Sequence, residues 1–389
     1  MKNRTLLMIP GPIEFEPAVL AAHAAPTTSH LDPRFMDAFG RAIERLRVLF
    51  GAPDGQPFVI AGTGTLAMDS AASNLVEPGD RALVVNTGYF GDRMGAICER
   101  YGAAVTHVHA AVGDRPEAVD VARALAGPGR FKLVTITHVD TSTGVLTDVP
   151  SIARVAREHG ALVVVDGVCS VGGERLDMAA DDVDVALTAS QKAVGVPPGL
   201  ALLVAGPRAM DAFRARRAPA GSYYADWANW QPIMAAYEAR RPAYFGTPAV
   251  NLVWALDVSL GQILDEGLAA RIARHERLAA AARAGVTALG LGSVPVRPAA
   301  AAHTMTAPRL PDGITARDLL PRVAAAGATL AGGLHPAIRD TYFRIGHMGA
   351  ASVGDVLATL GALEAGLADC GYRFERGTGV AAAAAASVC

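Results

Sequence analysis

The chain predicts an α/β protein: a large domain built on a mostly parallel seven-stranded sheet, followed by a smaller C-terminal α+β domain. Three observations carry this. Seven short apolar runs recur, at Phe58–Ala61, Ala82–Val85, Val105–Val108, Lys132–Thr137, Ala161–Val165, Val183–Leu187 and Leu200–Val204. Helical patterns fill most gaps between them, as at Leu66–Leu75, Met94–Tyr101 and Ser151–His159. The runs are continuously apolar, as expected of parallel strands covered on both faces.

The elements follow in order. Residues 1–30 have no clear period and hold Pro10, Pro12, Pro17 and Pro26, which predicts an extended N-terminal arm. A helix is expected from Pro33 to Phe50, with Phe35, Phe39, Ile43 and Leu46 on one face. The large domain spans residues 31–259. A long helix starting near Pro248 and running through Leu264 links it to a small domain at 260–376. There the pattern gives strands at Thr304–Ala307 and Tyr342–Ile345 and helices at Ala316–Ala325 and Val353–Ala368. The tail, 377–389, contains six consecutive alanines, a marginal helix former in water; it reads as frayed or packed on.

Composition narrows the function. The 389 residues are 51% apolar and 19% charged, with a net charge of −2, which argues against a polyanion-binding surface and so against nucleic acid. The four cysteines have no metal-ligand spacing, and no metal is expected. They fit a reduced, cytoplasmic protein without signal or membrane span.

The chemistry centres on Asp166 and Lys192. Only three lysines occur, Lys2, Lys132 and Lys192, against 32 arginines. A lysine among small apolar residues in such a chain suggests amine chemistry that a guanidinium cannot perform. Asp166 ends the apolar run 161–166. An acid at a strand mouth followed by a lysine in a small-residue turn is the layout that holds pyridoxal phosphate: the amine condenses with the aldehyde and the acid pairs with the pyridinium nitrogen. Ligands of parallel sheets bind at the carboxyl ends of the strands, where further motifs fall. Ala61-Gly-Thr-Gly-Thr65 precedes a helix and suits a phosphate, or is a glycine turn with a threonine cap. In Asn86-Thr-Gly-Tyr-Phe90-Gly-Asp-Arg93, Tyr89 or Phe90 can lie on an aromatic ring or pack in the core. His138-Val-Asp-Thr141-Ser-Thr-Gly144 offers hydroxyls to a ring oxygen, or caps the next helix. Arg344, in Phe343-Arg-Ile-Gly346, can grip a carboxylate bidentately or form an ordinary salt bridge.

Five stretches, HVDTSTGV (138–145), VVVDGVCSVGG (163–173), ALTASQKAVGVPPGLA (186–201), YFGTP (244–248) and FRIGHMG (343–349), resemble the class V, fold type I aminotransferases that use pyridoxal phosphate. The likeness runs from Pro10 to about Gly371 and is strongest to the alanine–glyoxylate, serine–glyoxylate and serine–pyruvate enzymes. It implies Lys192 as the Schiff-base lysine that also moves the substrate proton, and Asp166 as partner of the ring nitrogen. Phe90 would stack on the ring, and Thr141 would contact its side. Thr63, Gly64, Thr65 and Gln191 would hold the phosphate. Tyr244 and Thr247 would reach the site of the neighbouring subunit in a homodimer. Arg344, with the Gly11 backbone nearby, would bind the substrate carboxylate. The implied reaction transfers the amino group of a small amino acid, L-alanine first, to a 2-oxo acid, glyoxylate. Serine–glyoxylate, serine–pyruvate or pyridoxamine–pyruvate transamination, or a class V lyase or secondary-metabolism enzyme, are the alternatives. Desulfurase chemistry fits poorly, since Cys370 and Cys389 lie in a final helix turn and the tail. Phe90 and the segment Ser29–Pro33 depart from the pattern expected near the substrate.

Overall fold

The computed structural model describes residues 5–387; Lys2 and Cys389 lie outside the described residues. All seven apolar runs become strands of one sheet: β1 (Gln56–Ala61), β2 (Arg81–Asn86), β3 (Ala104–His109), β4 (Leu133–Thr137), β5 (Leu162–Asp166), β6 (Val185–Ala189) and β7 (Leu200–Ala205). They lie in the order β1-β7-β6-β5-β4-β2-β3. Only β7 runs against its neighbours β1 and β6; the other pairings are parallel. Every residue of β4, β5, β6 and β7 is buried, which is why apolar residues dominate these strands. Asp166 is the last residue of β5, in register with Thr137 of β4 and Leu187 of β6.

Helices Gly64–Leu75, Tyr89–Arg100 and Val149–Glu158 follow β1, β2 and β4. Helix Pro33–Leu49 begins where the Asp32 side chain accepts the Arg34 N–H, and it buries Phe35, Phe39, Ile43 and Leu46. The arm is only partly extended. Residues Leu6–Leu7 pair with Ala328–Thr329, but Pro17–Ala24 is a helix. Proline at its first position pre-sets the backbone for a helical start, and Val19 is fully buried.

The expected long helix forms at Val250–Glu266 and stops at Gly267, whose φ of 81° is left-handed. A second helix, Leu268–Ala288, follows at once. The sequence reading missed it, because its buried residues include Arg271, His275 and several alanines, so no apolar stripe marks it. In the small domain, Phe343–Gly346 pairs antiparallel with Met305–Thr306 on one side and Ala331–Gly332 on the other. Helices Ala316–Ala325 and Val353–Asp369 cover it. The alanine tract forms helix Thr378–Ala386, with Ala383 fully buried. The Glu364 carboxylate accepts the N–H groups of Gly377, Gly379 and Val380 at its start. Of the two readings of the tail, the packed one holds. Among the described residues no helix is long and apolar enough to cross a membrane.

Candidate active site

Lys192 lies in the turn after β6 and is 8% exposed. Its Nζ donates to the Pro10 carbonyl oxygen. The arm therefore crosses directly over the amine. Gly11 has a φ of 106°, and a Cβ there would stand 2.6 Å from Lys192 Cδ, so only glycine permits this approach. Burial lowers the Lys192 pKa below its ordinary value, as does the Arg344 charge; Cys169 and Asp166 act in the opposite direction.

Asp166 is 3% exposed. Its Oδ1 accepts the Val168 N–H at 3.0 Å, and no cationic side chain among the described residues forms an ion pair with it. Burial pushes its pKa up to about 6, opposed by the Val168 bond and assisted by the nearby Asp140 charge. A carboxylate at this depth calls for a cationic partner, and the described residues supply none in contact. That is the geometry expected if a ligand brings it.

The helix start Gly64–Leu66 is the second component. Thr63 occupies the cap position, but its side chain makes no capping bond. Thr63 and Thr65 are exposed. Thr63 thus takes the cap position without bonding the first N–H groups, which with the helix dipole suit an anion. Gln191 Oε1 is buried without a partner. Arg93, which sequence reasoning passed over at the end of its motif, donates to Thr65 Oγ1 at 3.0 Å. Its guanidinium lies 4.9 Å from the Phe90 ring centre and 5.1 Å from that of Tyr89.

Asp140 was also missed, hidden in a stretch read for its hydroxyls. It is fully buried and accepts from Ser142 N, Ser142 Oγ and Phe90 N. The loop after β4 is thereby fastened to the helix that carries Phe90. Thr141 is buried, and its carbonyl accepts Arg344 Nη1 at 3.0 Å, while Arg344 Nε donates to the Gly332 carbonyl at 2.8 Å. Arg344 pairs with no carboxylate among the described residues, so the salt-bridge alternative is not what the side chain does. His138 is buried with Nδ1 unpartnered.

Lys192, Gly11, Asp166, Thr141 and Arg344 thus converge at the carboxyl end of the sheet, beside the loops that hold Thr63–Thr65 and Phe90. Tyr244 and Thr247 are not with them. Tyr244 is 66% exposed and Thr247 is exposed, with the Tyr244 ring 5.7 Å from that of His30. No group of metal-ligating side chains able to hold an ion occurs among the described residues.

Residues 18–355 match the family described as aminotransferase class-V. Alanine–glyoxylate aminotransferase 1 of Saccharomyces cerevisiae is 38% identical over 360 residues, covering 90% of this chain and 93% of that protein. L-aspartate–glyoxylate aminotransferase of Paracoccus denitrificans is 33% identical over 387 residues, covering 98% and 96%. Among solved structures, ureidoglycine–glyoxylate aminotransferase of Bacillus subtilis superposes with a TM-score of 0.92 at 28% identity, over 100% of this chain and 99% of that one. With its fold, its buried acid and buried lysine and these likenesses together, the chain belongs to the class-V aminotransferase family and is a pyridoxal-phosphate-dependent enzyme.

Proposed function

We propose that this aminotransferase moves the amino group of a small monocarboxylic amino acid, L-alanine first, to glyoxylate, giving pyruvate and glycine. The observation that carries this is the state of the arginines. Arg344 is held by two backbone carbonyls and has no acidic partner among the described residues, which leaves part of its guanidinium for one carboxylate. Of the other arginines, Arg93 stands beside Phe90 and donates to the Thr65 hydroxyl, the place of a phosphate in this reading, and the four the sequence left unassigned are ion-paired or exposed. Arg34 pairs with Asp32, Arg240 with Glu44 and Asp37, and Arg339 with Asp340; Arg241 is exposed. The relatives named for glyoxylate support the acceptor.

The residues fit the cofactor. Asp166 is a buried carboxylate lacking a cation, the uncapped helix start at Thr63–Thr65 takes a phosphate, and the orphaned Gln191 Oε1 lies next to Lys192. When bound, pyridoxal phosphate acidifies the substrate α-carbon hydrogen and carries the amino group between the two half-reactions. Lys192 anchors it and moves the proton at that carbon. A lowered pKa raises the share of free amine able to do so. Asp166 would keep the ring nitrogen protonated, and Phe90 and Thr141 would hold the ring. Arg344 and the Gly11 backbone orient the substrate carboxylate. Exposed Tyr244 and Thr247 serve the phosphate of the neighbouring subunit in a homodimer.

The test is a donor panel read by absorption. L-alanine should bleach the yellow enzyme and glyoxylate restore it. If alanine leaves the spectrum unchanged while L-serine, L-aspartate or pyridoxamine bleaches it, the donor assignment falls and the aminotransferase remains.

A further inference from the structure

Helix Leu268–Ala288 left no mark in the sequence, yet its first turns reach both halves of the site. Arg271 is 7% exposed. Its Nη2 donates to the Ala193 carbonyl at 2.7 Å, the peptide that follows Lys192. Its Nε donates to the Gly172 carbonyl at 2.8 Å, in the turn after Asp166, and its Nη1 pairs with Glu266 at 2.8 Å. His275, one turn on, is fully buried. Its Nδ1 lies 2.8 Å from the Arg271 carbonyl. A carbonyl can only accept, so the proton sits on Nδ1 and Nε2 is bare. Nε2 then accepts the Gly349 N–H at 3.0 Å. Arg274 holds the Gly349 and Ala351 carbonyls, each at 3.0 Å. Gly349 ends the Arg344–Gly349 segment, and a Cβ on it would stand 3.8 Å from Ala193 Cα.

Three backbones therefore meet at one point: the peptide after the lysine, the turn after the acid and the segment after the substrate arginine. Polar side chains at such depth are expensive unless fully bonded, and apart from the His275 Nδ1 bond to the Arg271 carbonyl within the helix, the bonds made here go to those backbones or to Glu266.

We propose that Arg271 and His275 are positioning residues that set Lys192 and Arg344 against each other, Arg271 from the lysine side and His275 from the carboxylate side. The inference rests on the roles given above to Lys192 and Arg344. Neither residue touches substrate. Each acts through a backbone that carries a reacting or binding group, and a displacement of the order of 1 Å in such a group slows an enzyme about 100-fold. Burial drives the His275 pKa down to about 3, so the acceptor at Nε2 persists across the working range of pH.

The experiment uses holoenzyme, with active sites counted as the borohydride-reduced cofactor adduct located by peptide mass mapping. Arg271→Met should lower kcat per trapped site about tenfold, with KM for both substrates within about threefold. His275→Leu should raise KM for both substrates about tenfold, the effect of one lost buried hydrogen bond, with kcat within about threefold. His275→Gln, which keeps an acceptor, should return KM to within about threefold of the parent. Should His275→Leu not accumulate, His275→Asn, whose amide is too short, replaces it with the same expected KM. The proposal is overturned if the variants lose only the fraction of trapped sites, with kcat and KM per site unchanged, or if the two parameters respond the other way round. An adduct mapped away from Lys192 would instead overturn the reading of the active site itself.

Discussion

Replacing Arg344 by glutamine tests the substrate assignment most directly. A guanidinium has five N–H donors. Two are engaged, Nε with Gly332 and one of Nη1 with Thr141, and three remain, enough for a two-bond grip on a carboxylate. Each charge-assisted bond contributes about 1.5–3 kcal/mol. Burial lowers the Arg344 pKa below its ordinary value, a sign that the free charge is under-solvated and gains from an anion. Taking the lower half of the range for two bonds gives about 3–4 kcal/mol, or roughly 100- to 1,000-fold in kcat/KM at 1.36 kcal/mol per decade. The assay compares kcat/KM for L-alanine and for ethylamine, which has no carboxylate. The parent should prefer alanine by at least that factor, and Arg344→Gln should abolish the preference while handling ethylamine almost unchanged. A loss on alanine below about tenfold, or an equal loss on both amines, would refute the assignment: the first because the contact is then weak, the second because the damage is then general.

Gly11→Ala should lower kcat by at least about tenfold while the fold survives, because the new Cβ displaces the Lys192 side chain from 2.6 Å and strains a backbone at φ 106°; steady-state rates on soluble protein check it. The Asp166 pKa, raised to about 6, means that the folded apoprotein binds more protons than the unfolded chain between pH 4 and 6. The apoprotein should therefore lose stability as pH rises through that window, by about 2–3 kcal/mol from this group. Denaturant midpoints of Asp166→Asn apoprotein should be flatter with pH than those of the parent, and parallel curves would contradict the linkage. Glu364→Ala strips the acceptor from three N–H groups at the start of the terminal helix. It should cost about 1–2 kcal/mol, seen as a lower Tm without change in kcat per active site.

What the sequence made legible follows from which physical signals are local. The strands of the sheet were visible because burial on both faces makes the central ones dominantly apolar, as in Leu162–Asp166, whose only polar residue is the terminal acid. Lys192 and Asp166 stood out because each breaks an apolar context that a structural role would have kept apolar. Asp140 and Arg93 were missed although both lie inside quoted motifs, since their partners, the Phe90 backbone and Thr65, are 50 and 28 residues away. Nothing local distinguishes an acid that fastens two loops from one that faces water. Helix Leu268–Ala288 was lost for the converse reason. It buries arginine and histidine where periodicity looks for leucine, and those residues are satisfied by carbonyls of Gly172 and Ala193 and an N–H of Gly349 that only the finished fold brings to it. A buried polar side chain whose partners are backbone groups leaves no complementary residue type to find. Pattern reading therefore finds groups that could contact a ligand more readily than those that set where such groups stand. Exposed Tyr244 and Thr247 extend the same logic past one chain: in the homodimer proposed above their partners lie in another molecule, so Tyr244→Ala should weaken cofactor retention and leave the donor preference set by Arg344 untouched.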